Sequence, residues 1–181
     1  MTTYLALLRG INVGGNNKIA MPALKKAFEQ HGFTGVTTYI NSGNLMFDSA
    51  LDAQAVQAAS EVLIASEFGF SVAVGVYSAA ELRDALAHAP AWWNSDPASK
   101  HNAIFVIPPA TAEAVCALVG ETKPAYEQVH AYGNVIFWSA PIETFSRTRW
   151  SKIVQNKAAY NAITIRNANT FRKLVTLTAS R

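Results

Sequence analysis

The stretch "LLRGINVGGNNK", Leu7 to Lys18, carries the residue types that hold negative groups: an arginine, closely spaced glycines, amides and a lysine. A phosphate-binding loop of the nucleotide type needs two glycines with four residues between them, followed by Lys and Ser or Thr. Gly10 and Gly15 keep that spacing, but Asn16 and Asn17 stand where the lysine and hydroxyl belong, and Lys18 comes two residues late. The nucleotide pattern therefore fails, while its physics remains. Gly10, Gly14, Gly15 and Gly43 let backbone N–H groups approach a ligand or adopt positive φ. Arg9 supplies a forked cation and Lys18 a second charge. Asn12, Asn16, Asn17, Asn41 and Asn44 supply amides, and Ser42 a hydroxyl. Neither "RGINVGGNNK" nor "NSGN" contains an acid, which argues against a metal cage and for an anionic or polar ligand. The competing reading is that Gly and Asn only shape two tight turns.

The elements that must position these residues follow from periodicity. "TYLALL" reads as a buried strand and "MPALKKAFEQHG" as a helix, with Pro22 in its first turn, Gly32 as its C-cap, and Leu24, Ala27 and Phe28 on one face. "VTTYI" and "LMFDS" are strands joined by the turn "NSGN". Residues 52–68 form a second helix, with Val56, Ala59, Val62, Leu63 and Ser66 expected on its buried face, and "FSVAVGVY" is a fourth strand. This β-α-β-β-α-β order is the ferredoxin-like arrangement. There the first strand ends at the sheet edge where the third begins, so the loop after Leu8 should lie beside the turn Asn41–Asn44. At about eleven residues that loop also exceeds the usual strand-to-helix connection.

A helix "SAAELRDALAHA" follows, with Ser78 and Glu81 spaced as a capping box. "PAWWNSDPASK" reads as the joint between halves, where Trp92 and Trp93 suit burial against one half better than an open binding surface. The second half repeats the grammar: strand "NAIFVIP", helix "ATAEAVCALVG", hairpin "YEQVHA"/"VIFWSA", a short helix near residues 149–160, strand "AITI" and helix "NTFRKLVTLTA", capped by Asn167 or Asn169. The expected class is α+β, two ferredoxin-like subdomains, residues 1–88 and 89–181. In "TIRNANTFRK", Arg166 precedes a helix N-terminus, so Arg166, Asn167, Asn169 and Thr170 form a second candidate anion-binding motif, with capping as the simpler alternative.

Composition limits the function classes. The 181 residues are half hydrophobic and 15% charged, as in folded globular chains. No apolar run approaches the ~20 residues that span a bilayer, and "MTTYLALLRG" lacks a secretory n-region. With Cys116 alone, no intramolecular disulfide forms, and a cytoplasmic location is the simplest expectation. From Ala140 onward eight basic residues face one acid, Glu143, whereas the first 139 residues carry seven basic and eleven acidic. That asymmetry suggests an anionic partner for the C-terminal fifth, or a solvated basic face. His31, His88, His101 and His130 lack metal-ligand spacing, and no nucleophile elbow is present. Of the four, His101 alone suits an acid or base role.

The blocks Arg9-Gly10-Ile11-Asn12-Val13-Gly14-Gly15, Thr38-Tyr39, Ser42-Gly43-Asn44 and Arg166-Asn167-Asn169-Thr170 with Lys173-Leu174 resemble the bacterial family catalogued as "domain of unknown function" 1697. "RWSK", Arg149 to Lys152, resembles a looser element of that family, and Ala168 stands where the family often has Trp. The resemblance implies a two-module ferredoxin-related fold and no particular reaction. Three functions stay open: a small phosphate- or carboxylate-bearing ligand bound without cofactor or metal, RNA held by the basic C-terminal segment, or a protein-interaction scaffold. RNA ranks second, because no strand carries the basic and alternating aromatic residues of an RNA-recognition strand.

Overall fold

The computed structural model describes all 181 residues, Met1 to Arg181. The chain divides into two compact units, Met1–Arg83 with Leu174–Arg181, and Asp84–Lys173. The boundary falls within one helix and again within the last.

The first unit contains β1 (Thr2–Leu8), α1 (Met21–Gln30), β2 (Thr34–Tyr39), β3 (Asn44–Ser49), α2 (Ala53–Phe68) and β4 (Val74–Ser78), followed by α3 (Ala79–Ala87), which crosses the boundary. Its sheet is antiparallel in the order β2-β3-β1-β4, and β1 is registered so that Leu7 faces Asn44 on β3 and Gly75 on β4. Alternate residues Tyr4, Ala6 and Leu8 of β1 join Leu24 and Phe28 of α1 and Val56 and Leu63 of α2 in one core. Phe28, Phe33 and Phe47 form its aromatic centre, with ring centroids 4.7–5.4 Å apart. Leu5 and Leu7, on the opposite face of the strand, are also fully buried.

One expectation for this unit fails at α2. Val62 is 69% exposed, and Ser66 is exposed too; the buried face is Val56, Ser60, Leu63 and Ile64. The run "EVLIAS" is apolar on several sides, so period alone does not choose its inner face. Ser60 tolerates the interior because its hydroxyl donates to the Val56 carbonyl at 2.7 Å. The capping box at α3 forms as spaced: Ser78 N–H donates to Glu81 Oε2 at 2.7 Å, and Glu81 N–H returns to Ser78 Oγ at 3.2 Å. At the far end of the chain, Arg181 donates to Thr37 Oγ1 at 2.8 Å and to the Gly35 carbonyl, fastening the terminus to β2.

The second unit contains β5 (Ser99–Val106), α4 (Ala112–Val119), β6 (Gln128–Tyr132), β7 (Val135–Pro141), two 3₁₀ turns (Ile142–Arg147 and Trp150–Gln155), α5 (Lys157–Asn161), β8 (Ile163–Asn167) and the start of α6 (Ala168–Ala179). Its sheet order β6-β7-β5-β8 repeats that of the first unit, strand for strand. Both units are therefore ferredoxin-like, and the class is α+β. The single helix expected near residues 149–160 is instead a 3₁₀ turn and a separate α5. Asn156, extended at φ −98° and ψ 92°, interrupts the run, and its side chain caps α5 by accepting Ala159 N–H at 3.1 Å. Trp93 is buried in this unit, edge-on to Phe137 at 5.1 Å, and its indole N–H donates to the Asn102 carbonyl at 2.8 Å. Trp92 is half-buried.

Candidate functional site

The antiparallel β1–β3 pairing brings the two polar loops of the first unit together. Leu8 N–H donates to the Gly43 carbonyl at 2.8 Å where β1 ends, and Arg9 N–H donates to the Ala73 carbonyl at 3.0 Å. Beyond Arg9 the chain forms a small exposed ribbon. Val13 pairs with Asn16 in an isolated bridge, and Gly14 and Gly15, at φ 59° and 81°, turn its tip. Asn12 and Asn17 flank that tip, also left-handed at φ 55° and 47°. The four left-handed positions are thus filled by glycine and asparagine, the residues that adopt this conformation at least cost.

Asn12 is the tie between the loops. Its Nδ2 donates to the Ile19 carbonyl at 2.9 Å and to the Asn41 carbonyl at 3.0 Å, while its Oδ1 accepts Ile19 N–H at 2.8 Å. Asn44, fully buried, donates to the Tyr39 carbonyl at 2.9 Å and to Ser42 Oγ at 3.0 Å, closing the hairpin turn from inside. Gly43 is buried against Leu8 and Ile11, and a Cβ there would lie 2.8 Å from Leu8 Cβ. Gly10, Gly14 and Gly15 face open space. Ile40 is left-handed at φ 48° and half exposed, an unfavourable conformation for a β-branched residue, directly before Asn41.

Between the loops lies an open cleft of about 360 Å³ lined by Asn12, Gly15, Lys18, Ile19, Ala20 and Asn41. Ala20 occupies the N-cap position of α1, which has Pro22 in its first turn and no side-chain cap. Lys18 is exposed and is the one charged lining residue. A helix N-terminus and a lysine at one cleft favour negative charge. Of the residues singled out from the sequence, Asn12, Gly15, Lys18 and Asn41 line this cleft. Gly10 and Gly14 belong to the same loop, Arg9 is half-buried at the strand end, and Ser42, Gly43 and Asn44 form the facing turn.

Arg166, Asn167, Asn169 and Thr170 stand in the second unit, at the end of β8 and the start of α6. Arg166 is buried, its Nη1 donating to Thr164 Oγ1 at 2.8 Å and to the Ile165 carbonyl at 2.9 Å. Of the two asparagines, Asn167 is the cap, accepting Thr170 N–H at 2.8 Å. Asn169 is exposed.

His101 forms a buried chain of polar groups in the second unit. Its Nε2 lies 2.8 Å from the Asp96 carbonyl and 3.6 Å from Asp96 Oδ2, and its Nδ1 lies 2.6 Å from Ser139 Oγ. The carbonyl can only accept, so Nε2 carries a proton, and Nδ1 shares a hydrogen bond with the serine hydroxyl. The order Ser–His–Asp matches a hydrolase triad in outline. Ser139, however, is 4% exposed on β7, so the chain fastens the Asp96 segment to β5 and β7 and presents no nucleophile.

Sequence reasoning gave no role to Glu127. This residue is 4% exposed, and its carboxylate accepts backbone N–H groups from Lys123 at 3.0 Å, Arg149 at 2.8 Å and Trp150 at 3.2 Å. The only hint was an acid beside a strand-like segment, because its partners lie up to 23 positions away. No group of three or more His, Cys, Asp and Glu side chains is placed to hold a metal ion, and no helix is long and apolar enough to cross a membrane.

Two ferredoxin-like modules, with a glycine- and asparagine-built cleft in the first, define a two-module α+β protein. The chain belongs to the family described as protein of unknown function (DUF1697), whose model matches residues 1–137. That span includes both cleft loops; the Arg166 motif lies outside it. Among solved structures, the conserved bacterial protein SP0830 from Streptococcus pneumoniae is 32% identical, covers 98% of each chain and superposes with a TM-score of 0.88. An unknown protein from Galdieria sulphuraria is 12% identical over 92% of this chain and 96% of that chain, and its TM-score of 0.26 carries no weight for the fold. A search of curated protein sequences finds no match.

Proposed function

We propose that the protein binds a small anionic molecule, bearing a phosphate or carboxylate group, in the cleft between the Arg9–Ala20 loop and the turn after β2. The observation that carries this reading is the joint presence at one cleft of Lys18 and an α1 N-terminus without a side-chain cap, with no acidic lining residue. Strain at Ile40 and the unusual loop length support it, since both are features that cluster at functional sites. Lys18 supplies the charge, and Gly15 gives backbone access. Asn12 and Asn44 act by holding the loops, since their amides are engaged within the protein. The lone Cys116 fits a reducing, cytoplasmic setting.

The test is calorimetric titration of the full chain with inorganic phosphate, a sugar phosphate, a simple carboxylate and a short single-stranded RNA. One small-anion class should bind, and Lys18→Gln should weaken that binding at least tenfold while leaving the melting temperature unchanged. Binding of RNA alone, steeply dependent on salt, would move the function to the basic C-terminal segment and reduce the loops to turns.

A further inference from the structure

A second cleft, about 620 Å³, lies wholly within the second unit. Its walls come from the end of α4, the second 3₁₀ turn and the start of α5, and three of its lining residues are cations: Arg149, Lys152 and Lys157. No acid lines it, and none of the three cations forms an ion pair. Leu118, Val119 and Ile153 supply an aliphatic side. Leu118 is 48% exposed, an apolar group held open to solvent beside three positive charges.

The cleft is built from fixed parts. Asn156 Nδ2 donates to the Leu118 carbonyl at 2.8 Å, pinning the two walls together. The buried Glu127 carboxylate holds the backbone of Arg149 and Trp150. Arg149 Nε donates to the Glu121 carbonyl at 3.3 Å, which restrains the guanidinium. Arg149, Lys152 and Lys157 line one cleft whose lining holds no acidic side chain, so an entering anion meets positive potential and eases their mutual repulsion.

We propose that this cleft is a second anion site, distinct from the first-unit cleft, and that it takes a dianionic phosphomonoester carrying an apolar or aromatic group. Three cations match a dianionic phosphate better than a single carboxylate, and Arg149 offers a fork suited to phosphate oxygens. Leu118, Val119 and Ile153 take the apolar part of the ligand, and Gln155 offers an amide at the rim. The volume is that of a small-molecule pocket. A single-stranded nucleic acid is the weaker fit, because no aromatic side chain lines the cleft to stack a base.

The probe is phenyl phosphate, titrated calorimetrically into the full chain, with inorganic phosphate, benzoate and a short single-stranded RNA as comparisons. Phenyl phosphate should bind at least tenfold more tightly than either inorganic phosphate or benzoate. Lys152→Gln/Lys157→Gln should weaken it at least tenfold with no change in melting temperature, since both lysines are exposed. Leu118→Gln should remove most of the advantage over inorganic phosphate. Lys18→Gln should leave phenyl phosphate binding intact, which separates this site from the first-unit cleft. In the Lys18→Gln background, where the first-unit cleft is weakened, equal binding of phenyl phosphate and inorganic phosphate, or indifference to the added Lys152→Gln/Lys157→Gln change, would overturn the proposal. So would benzoate binding as tightly as phenyl phosphate, or RNA binding where phenyl phosphate does not.

Discussion

The side-chain amide of Asn12 donates to the backbone carbonyl of Asn41 at 3.0 Å, joining two loops 29 positions apart in the chain. The same amide group grips Ile19 from both sides, so one residue sets the shape of the cleft and its distance from the β2–β3 turn. This bond makes the juxtaposition dictated by strand order a fixed geometry.

Asn12→Ala removes four side-chain hydrogen bonds and places a Cβ-bearing residue with no local side-chain partner at φ 55°. The expected loss is about 1–3 kcal/mol, read by urea denaturation. Asn12→Gly keeps the left-handed backbone and loses only the amide contacts, so it should recover about 1 kcal/mol of that loss. Equal stability of the two variants would show that the conformational part is negligible.

Gly43 and Gly10 are both left-handed, at φ 78° and 68°, yet substitution should cost differently. A Cβ at Gly43 would lie 2.8 Å from Leu8 Cβ and 2.9 Å from Ile11 Cδ1, whereas at Gly10 it meets nothing within 4 Å. Gly43→Ala should therefore destabilise by about 2–4 kcal/mol, overpacking added to backbone strain. Gly10→Ala should lose about 1 kcal/mol. Parallel thermal melts of the two variants decide the matter; the idea fails if Gly10→Ala is the worse.

Glu127→Ala orphans three backbone N–H groups that its buried carboxylate now accepts. The expected loss is about 2–4 kcal/mol, and it should weaken the second-unit cleft as well, because Arg149 stands on the segment released. Glu127→Gln keeps the shape but turns one acceptor into a donor facing a donor, so it should restore only part of the stability. Full recovery in Glu127→Gln would mean that the carboxylate's charge and second acceptor contribute nothing.

Tyr132 hydroxyl donates to Asp84 Oδ2 at 2.9 Å, and its ring stacks on His88 with centroids 4.0 Å apart. The hydrogen bond to Asp84 is the main reason its ionisation rises above the ordinary value near 10, with desolvation and the carboxylate charge adding to it. The native state thus holds this proton more tightly than the unfolded chain does. The contribution to stability is fully present below the ordinary tyrosine value and is lost as pH rises through the raised one. In Asp84→Asn the Tyr132 titration, followed by NMR of ring-labelled tyrosine, should move back down towards the ordinary value. An unchanged titration would remove Asp84 as the cause.

Much of the fold was readable because it rests on local pattern. The continuous apolar run of "TYLALL", the helical spacing of Leu24, Ala27 and Phe28, and the Ser78–Glu81 box each depend on residues a few positions apart, and each forms as read. Where the pattern is ambiguous, reading fails: α2 has apolar residues on several sides, and the packing partner decides that Ser60 turns inward and Val62 outward. The short helix near residues 149–160 fails for a related reason. Asn156 is a poor helix-interior residue whose side chain prefers to start a new helix, and the sequence offers no measure of which use wins.

The sequence by itself determined the two β-α-β-β-α-β modules and, through strand order, the meeting of the Arg9 loop with the Asn41–Asn44 turn. It also offered glycine for left-handed positions of the first loop, a preference of that residue alone, whereas the left-handed Asn12 and Asn17 emerge only in the fold. Tertiary structure alone decided what each polar side chain does there. An amide can face a ligand or brace a loop, and Asn12 and Asn44 brace because the backbone carbonyls of Ile19 and Asn41, and of Tyr39, come within 3.0 Å of them. The same holds for Glu127, Arg149, Lys152 and Lys157. Their types announce charge, but only the folding of α4, the 3₁₀ turn and α5 around one space makes the acid a brace and the three cations a cleft. Hydrogen bonds and charge act over a few ångströms in space, and sequence distance does not encode that separation.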